Sequence, residues 1–315
     1  MVVNSTGIEA LPNELLITLL SGFSTRALLP MTSVSHHFHD IILRILHTRL
    51  LHVASLKDHK LILEVYHPSN KRSTPYLFCD YLGTDGLSDE MEGEGDIYQD
   101  VKDTGRLGKL SGLYSHFRPV QPENTRKVIR SHPAGGPLLP ASWLAGPLNA
   151  LVEDHKGEYV CQNINLESYE LFSQLCTITS LAKVGPRPGL LSSCVNIGDS
   201  VLRVWRDWLS ERATALLKND KLPIESQAQA GDADYSKRLL WADSDKNVGL
   251  RLRVSERKDL EAPVLISRDE DAPVSYALEY EELVVKTTKL LLKVEQSLEQ
   301  ETQHLGKAIV FRSWF

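Results

Sequence analysis

Two periodicities divide this chain, helical over its first fifty or so positions and alternating beyond them. Leu15, Leu16, Leu19 and Leu20 recur at i, i+1, i+4 and i+5, which predicts a helix with four apolar side chains on one face. Pro12 suits the first helical position, where its missing N–H costs nothing. Gly22 reads as a stop. Ser24 is placed to cap a second short helix carrying Ala27, Leu28 and Leu29, which Pro30 should end or kink. A third helix is expected from about Thr32, with Val34, Phe38, Ile41, Ile42, Ile45 and Leu46 on its apolar side. Three short helices bury little area by themselves, so this excess of leucine implies an apolar partner surface.

Alternation takes over past residue 50. Leu61 to Tyr66 and Tyr76 to Tyr81 read as strands separated by the turn-forming His67-Pro68-Ser69-Asn70. Further strands are expected at Glu158–Asn165, Leu171–Val184, Leu191–Ile197, Val248–Val254, Val264–Ser267, Val274–Tyr280 and Ala308–Phe315. Asp199 is expected to cap a helix whose face is Val201, Val204, Trp205, Trp208 and Leu209. Leu283 to Leu298 leans to helix on Leu283, Thr287, Leu290, Leu291, Val294 and Leu298, although VVKTTKLLLKV has strand composition too. Glycine, proline and acidic stretches place long loops or disorder at 84–108, 121–156 and 218–236. The fold class expected is α+β: an N-terminal helical unit over 8–50, separable from a β-rich domain over 51–315. That domain is read as a sandwich with one or two packed helices.

Composition narrows the function classes. Apolar content of 42% with 24% charged is ordinary for a globular protein, and a net charge of −6 argues against a nucleic-acid surface. The chain contains no apolar run long enough to span a membrane, and MVVNSTGIEALP lacks the layout of a signal peptide. Cys79, Cys161, Cys176 and Cys194 lie far apart in apolar or alternating segments, as buried free thiols of a reducing compartment do.

The ordered run from Leu11-Pro12 through Glu14, the Leu15/Leu16/Leu19 face, Phe23, Leu28, Val34-Ser35 and Phe38 to Ile41-Ile42 resembles the F-box. Phe38 stands where many members carry Trp, and His36 and His37 stand where basic residues are usual. YLFCDYLGTDGLSDE, ELFSQLC and RVWRDWL are similar to segments of fungal F-box proteins. The resemblance implies a three-helix element that docks on a Skp-type adaptor through Leu11, Pro12, Leu15, Leu16, Leu19, Leu28, Val34 and Phe38. Through that adaptor it implies a cullin–RING ubiquitin ligase of the SCF type, in the cytoplasm or nucleus. The chain would then be a substrate receptor for an unknown protein, with no catalytic residue, cofactor or metal of its own. With no internal repeat, WD40, kelch and leucine-rich substrate domains are excluded. The alternatives are an enzyme with a helical appendage, or an adaptor-bound F-box protein acting outside a ligase.

Enzyme-like motifs are fragmentary. Gly198-Asp199-Ser200 resembles a serine-esterase block, but no Asp-x-x-His follows to supply a base. Asp243, Asp245 and Asn247 resemble the start of a calcium loop, yet the glycine falls one place late at Gly249 and position twelve is Val254. His36, His37 and His39 lack Cys or carboxylate ligands at metal spacing and read as solvent-facing.

Overall fold

The computed structural model describes residue 8 and residues 11–70, 76–87, 106–121, 159–184, 190–219, 236–257, 273–303 and 309–310. The protein is of mixed α+β class. Three helices open it: α1 (Asn13–Ser21), α2 (Thr25–Met31) and α3 (His36–Ala54). Pro12 occupies the N-cap position of α1 instead of its first turn, and Pro30 is accommodated inside α2. Ser24 caps α2 as expected, accepting from the Ala27 N–H. The third helix starts later than the apolar pattern suggests, because Ser35 accepts from the Phe38 N–H at 3.3 Å and so caps it at His36.

The remainder comprises β1 (His59–Tyr66), β2 (Leu77–Thr84), α4 (Arg106–Ser111), β3 (Tyr114–Val120), β4 (Val160–Leu166), β5 (Phe172–Val184), β6 (Leu190–Trp205), α5 (Arg206–Asn219), β7 (Leu239–Trp241), β8 (Val248–Glu256), β9 (Val274–Lys286), α6 (Thr287–Gln303) and β10 (Ile309–Val310). α4 begins inside the segment read as a loop up to residue 108. The acidic stretch Asp89–Asp96, most of the 121–156 insertion, the 220–235 linker and Val264–Ser267 lie outside the described residues.

Two expectations of helix give way to strand. The first is Val201–Trp205, which continues β6. Every residue there faces a partner on β5, from Asp199 opposite Ile178 to Trp205 opposite Phe172. Leu202 and Val204 are buried while Val201 and Trp205 are exposed, a period of two that the spacing of Val201, Val204 and Trp205 hides. Asp199 therefore sits in mid-strand and caps nothing. The helix starts at Arg206, and Leu209 and Ala213 are buried one turn apart. The second is Leu283–Lys286, which finishes β9 in pairs with both β3 and β8 before α6 begins at Thr287.

All pairings are antiparallel and belong to one ten-stranded sheet in the order β10-β6-β5-β1-β2-β3-β9-β8-β7. β4 shares an edge of β9 with β3, taking Val274–Tyr280 while β3 takes Leu283–Lys286, and β8 runs along the opposite edge. The sheet curls until its two wings meet: a Cβ built on Gly198 of β6 would lie 3.2 Å from Cγ2 of Val248 on β8. The result is nearly a barrel, not the sandwich of two sheets expected from the strand pattern. The pairing of the 16-residue β6 with β5 shifts register between Thr179 and Ser180 and between Lys183 and Val184, irregularities of the kind that let a strand curve.

Phe117, Leu61, Leu63, Leu175, Leu181, Leu250, Leu278 and Tyr280 fill the interior. The helical unit is continuous with it. Leu16, Leu28, Ile42, Leu43, Leu46 and Leu50 belong to the same buried cluster as the sheet residues and as Leu290 and Leu291 of α6. The segments 8–50 and 51–315 thus share one core.

Candidate docking surface

The eight adaptor-facing candidates divide by helical phase. Leu16, Leu28 and Phe38 are 0%, 0% and 7% exposed and point into the shared core. The outward face expected of them is carried instead by Leu15 and Leu19, at 52% and 54%, and by Val34 at 67%. Pro12 is exposed and Leu11 half-buried beside them in sequence. Leu15 and Leu19 are one turn apart on α1, so they share a stripe that α1 turns away from the protein. Phe23 and Leu29, also exposed, extend the apolar surface through the α1–α2 turn and along α2. Single exposed apolar residues are normal on a surface; here five, Leu15, Leu19, Phe23, Leu29 and Val34, fall within twenty positions of the helical layer.

The α1–α2 turn is held by a polar clasp that the sequence does not announce. Arg49 of α3 donates through Nη2 to the Ser21 and Phe23 carbonyls at 3.0 and 2.6 Å, where α1 leaves its last oxygens unpaired. Its Nη1 reaches Glu295 of α6 at 3.0 Å. Glu295 in turn accepts from the Thr25 N–H at 3.1 Å and from the Thr25 hydroxyl at 2.6 Å. A carboxylate at the start of α2 meets unpaired N–H groups and the positive end of that helix together. Both charged side chains are about four-fifths buried, so each contact is worth more than an open surface pair.

Other chemistry-bearing groups lie elsewhere. At the end of the sheet where β1 and β6 begin, His59 Nε2 lies 3.1 Å from Ser297 Oγ on α6, and Ser297 bonds to Ser193. Ser297 and Ser193 are fully buried, so this Ser–His contact ties α6 to the sheet. Burial first, and Lys183 second, lower the His59 pKa from its ordinary 6.5. Folded-state stability is therefore full above about pH 6.5 and falls as the pH drops through that value, where the unfolded chain takes up the proton more readily. Thermal melts between about pH 5 and 8 should show this acid loss in the wild type and a smaller one in His59→Gln. An equal loss in both would remove His59 from the account.

Ser200 pairs with Thr177 Oγ1 at 2.9 Å within the strands β5 and β6. Asp243 closes the β7–β8 hairpin, accepting from the Asn247 and Val248 N–H groups at 2.8 and 3.2 Å. Among the described residues no group of three or more His, Cys, Asp or Glu side chains is arranged to hold a metal. All four cysteines are free, and burial pushes the Cys161 thiol up to about 11, which makes it a poor nucleophile. No helix among the described residues is long and apolar enough to cross a membrane.

Fold and surface together define an α+β protein with a curled antiparallel sheet and an outward apolar helical face. Known protein families, curated proteins and solved structures give no match to this chain.

Proposed function

We propose that the chain is an F-box protein, the substrate receptor of a cullin–RING ubiquitin ligase. What supports this reading is the exposure of Leu15, Leu19 and Val34, with Pro12 exposed ahead of them, at positions that the F-box resemblance gives to the adaptor face. Leu16, Leu28 and Phe38 then act from beneath, holding the helices at the angle that presents this row. The ligase would work by proximity: the adaptor and cullin hold a charged ubiquitin-conjugating enzyme, and the sheet presents a substrate lysine beside it. The chemistry belongs to the other subunits, which operate in cytoplasm and nucleus.

Leu15→Asp with Leu19→Asp should abolish co-purification of the adaptor, because interface anchors carry about 1–4 kcal/mol each. Since both residues are exposed, the thermal unfolding temperature should stay near the wild-type value. Adaptor retained at the wild-type level by this folded variant would end the F-box reading. A wild-type complex holding adaptor without cullin would place the protein outside a ligase.

A further inference from the structure

Among the described residues the curled sheet stops short of closing, and both lips of the opening are strand edges without a neighbouring strand. β6 is paired to β5 along its length, but among the described residues its other edge meets only β10, at Leu190 and Leu191. Nearby, the Cys194 N–H on that edge is satisfied at 3.1 Å by the Gln300 side chain of α6. Beyond the register shift next to Ile197 no described strand pairs with it. The Arg206 N–H donates to the Leu171 carbonyl at 2.8 Å, toward β5. Alternation along an extended chain then turns the main-chain groups of Val201, Arg203 and Trp205 the other way, into the opening.

β7 faces them with the same defect. Its Ala242 N–H and Arg238 carbonyl pair with β8, so by the same alternation Leu239 and Trp241 direct their N–H and C=O groups away from β8. Between the two edges lies a groove of about 540 Å³ lined by Gln174, Val201, Leu202, Arg203, Leu240 and Trp241. Its rim is rich in aromatic residues. Trp205 packs on Phe172 with ring centroids 5.0 Å apart, Trp241 on Tyr114 at 5.3 Å, and the Arg203 guanidinium lies over Phe172 at 5.6 Å. Proteins usually blunt such edges with lysine, proline or a covering element. Here α6 covers the stretch at Cys194, and among the described residues no element covers the rest.

We propose that this seam binds an extended peptide segment of a partner protein by strand addition. Main-chain donors and acceptors on both lips call for another main chain, which no side chain or small ligand replaces as fully. Val201, Leu240 and Trp241 favour apolar side chains at alternate positions of the segment, and Arg203 favours an acidic one among them. The inference rests on the receptor reading only in taking that segment as part of the ubiquitination substrate.

The test selects binders to the full-length wild-type chain from a displayed library of random linear peptides. Affinities for wild type, Arg203→Glu and Trp241→Ala are then measured by fluorescence anisotropy. The expected result is a peptide that loses about tenfold or more on each variant. N-methylation at either set of alternate residues of that peptide should abolish binding, because one set faces β6 and the other β7. Amide exchange at Val201, Arg203, Trp205 and Trp241 should slow only when the peptide is present.

Four results overturn the proposal: no peptide sensitive to seam substitutions, binding indifferent to N-methylation, amides already protected in the free chain, or protection that grows with the chain's own concentration. The third would mean that another part of the chain fills the seam, the fourth that a second copy does. The N-methyl comparison uses wild-type protein and stands even if a variant fails to fold. Adaptor binding is measured in parallel: its absence removes the receptor reading and leaves the peptide result intact.

Discussion

Deleting residues 1–50 is expected to abolish cooperative folding of what remains, not to release a stable sheet. α3 carries ten buried residues, among them Ile42, Leu43 and Leu46, and the cluster they belong to runs on into α6 and the sheet. Turning a buried Leu or Ile out to water costs about 1.5–3 kcal/mol, and whole domains keep a margin of only about 5–15 kcal/mol. A handful of such residues exhausts it. Circular dichroism of the 51–315 chain should show no sigmoidal melt, where the full chain shows one. A sharp transition near the full-length temperature would establish two independent domains and leave the shared core energetically idle.

Glu295→Ala is expected to produce the largest loss from a single side chain. The change removes the acceptor of the Thr25 N–H and hydroxyl and leaves Arg49 mostly buried without its counter-charge. Breaking a fully buried pair costs about 3–5 kcal/mol, and partial exposure here reduces the expectation to about 2–4 kcal/mol. For a chain of this size that is a fall in melting temperature of about 5–15 °C. The double variant with Arg49→Ala should lose clearly less than the sum of the single losses, since the two residues act as one unit. Additive losses would show that they contribute separately. Adaptor binding should weaken in Glu295→Ala as well, because the same clasp sets the angle between α1 and α2.

Much of this architecture was legible, and where it was not the cause is physical. The three N-terminal helices, and strands such as β1 and β5, follow from caps and alternation that act over a few residues. Val201–Trp205 misled because Val201, Val204 and Trp205 satisfy a helical stripe while Leu202 and Val204 satisfy an alternating one. Only pairing with β5, twenty or more positions away, decides between them. β3 alternates strictly in burial, but its inward positions are Ser115, Phe117 and Pro119, which do not read as an apolar stripe, and the three-residue β7 is too short to show a period. The inward turn of Leu16, Leu28 and Phe38 depends on what covers them, so a face read from one helix cannot separate core leucines from surface ones. The clasp was invisible for a plainer reason: Thr25 and Glu295 are 270 positions apart.

That separation has a consequence for how the protein is made. A ribosome exposes α1 and α2 early, yet the carboxylate that seats the start of α2 appears only after 270 further residues. A chain that ends before α6 carries the exposed leucines of α1 without the carboxylate that fixes α2 beside them. Seating of α2 is thereby timed to the synthesis of α6.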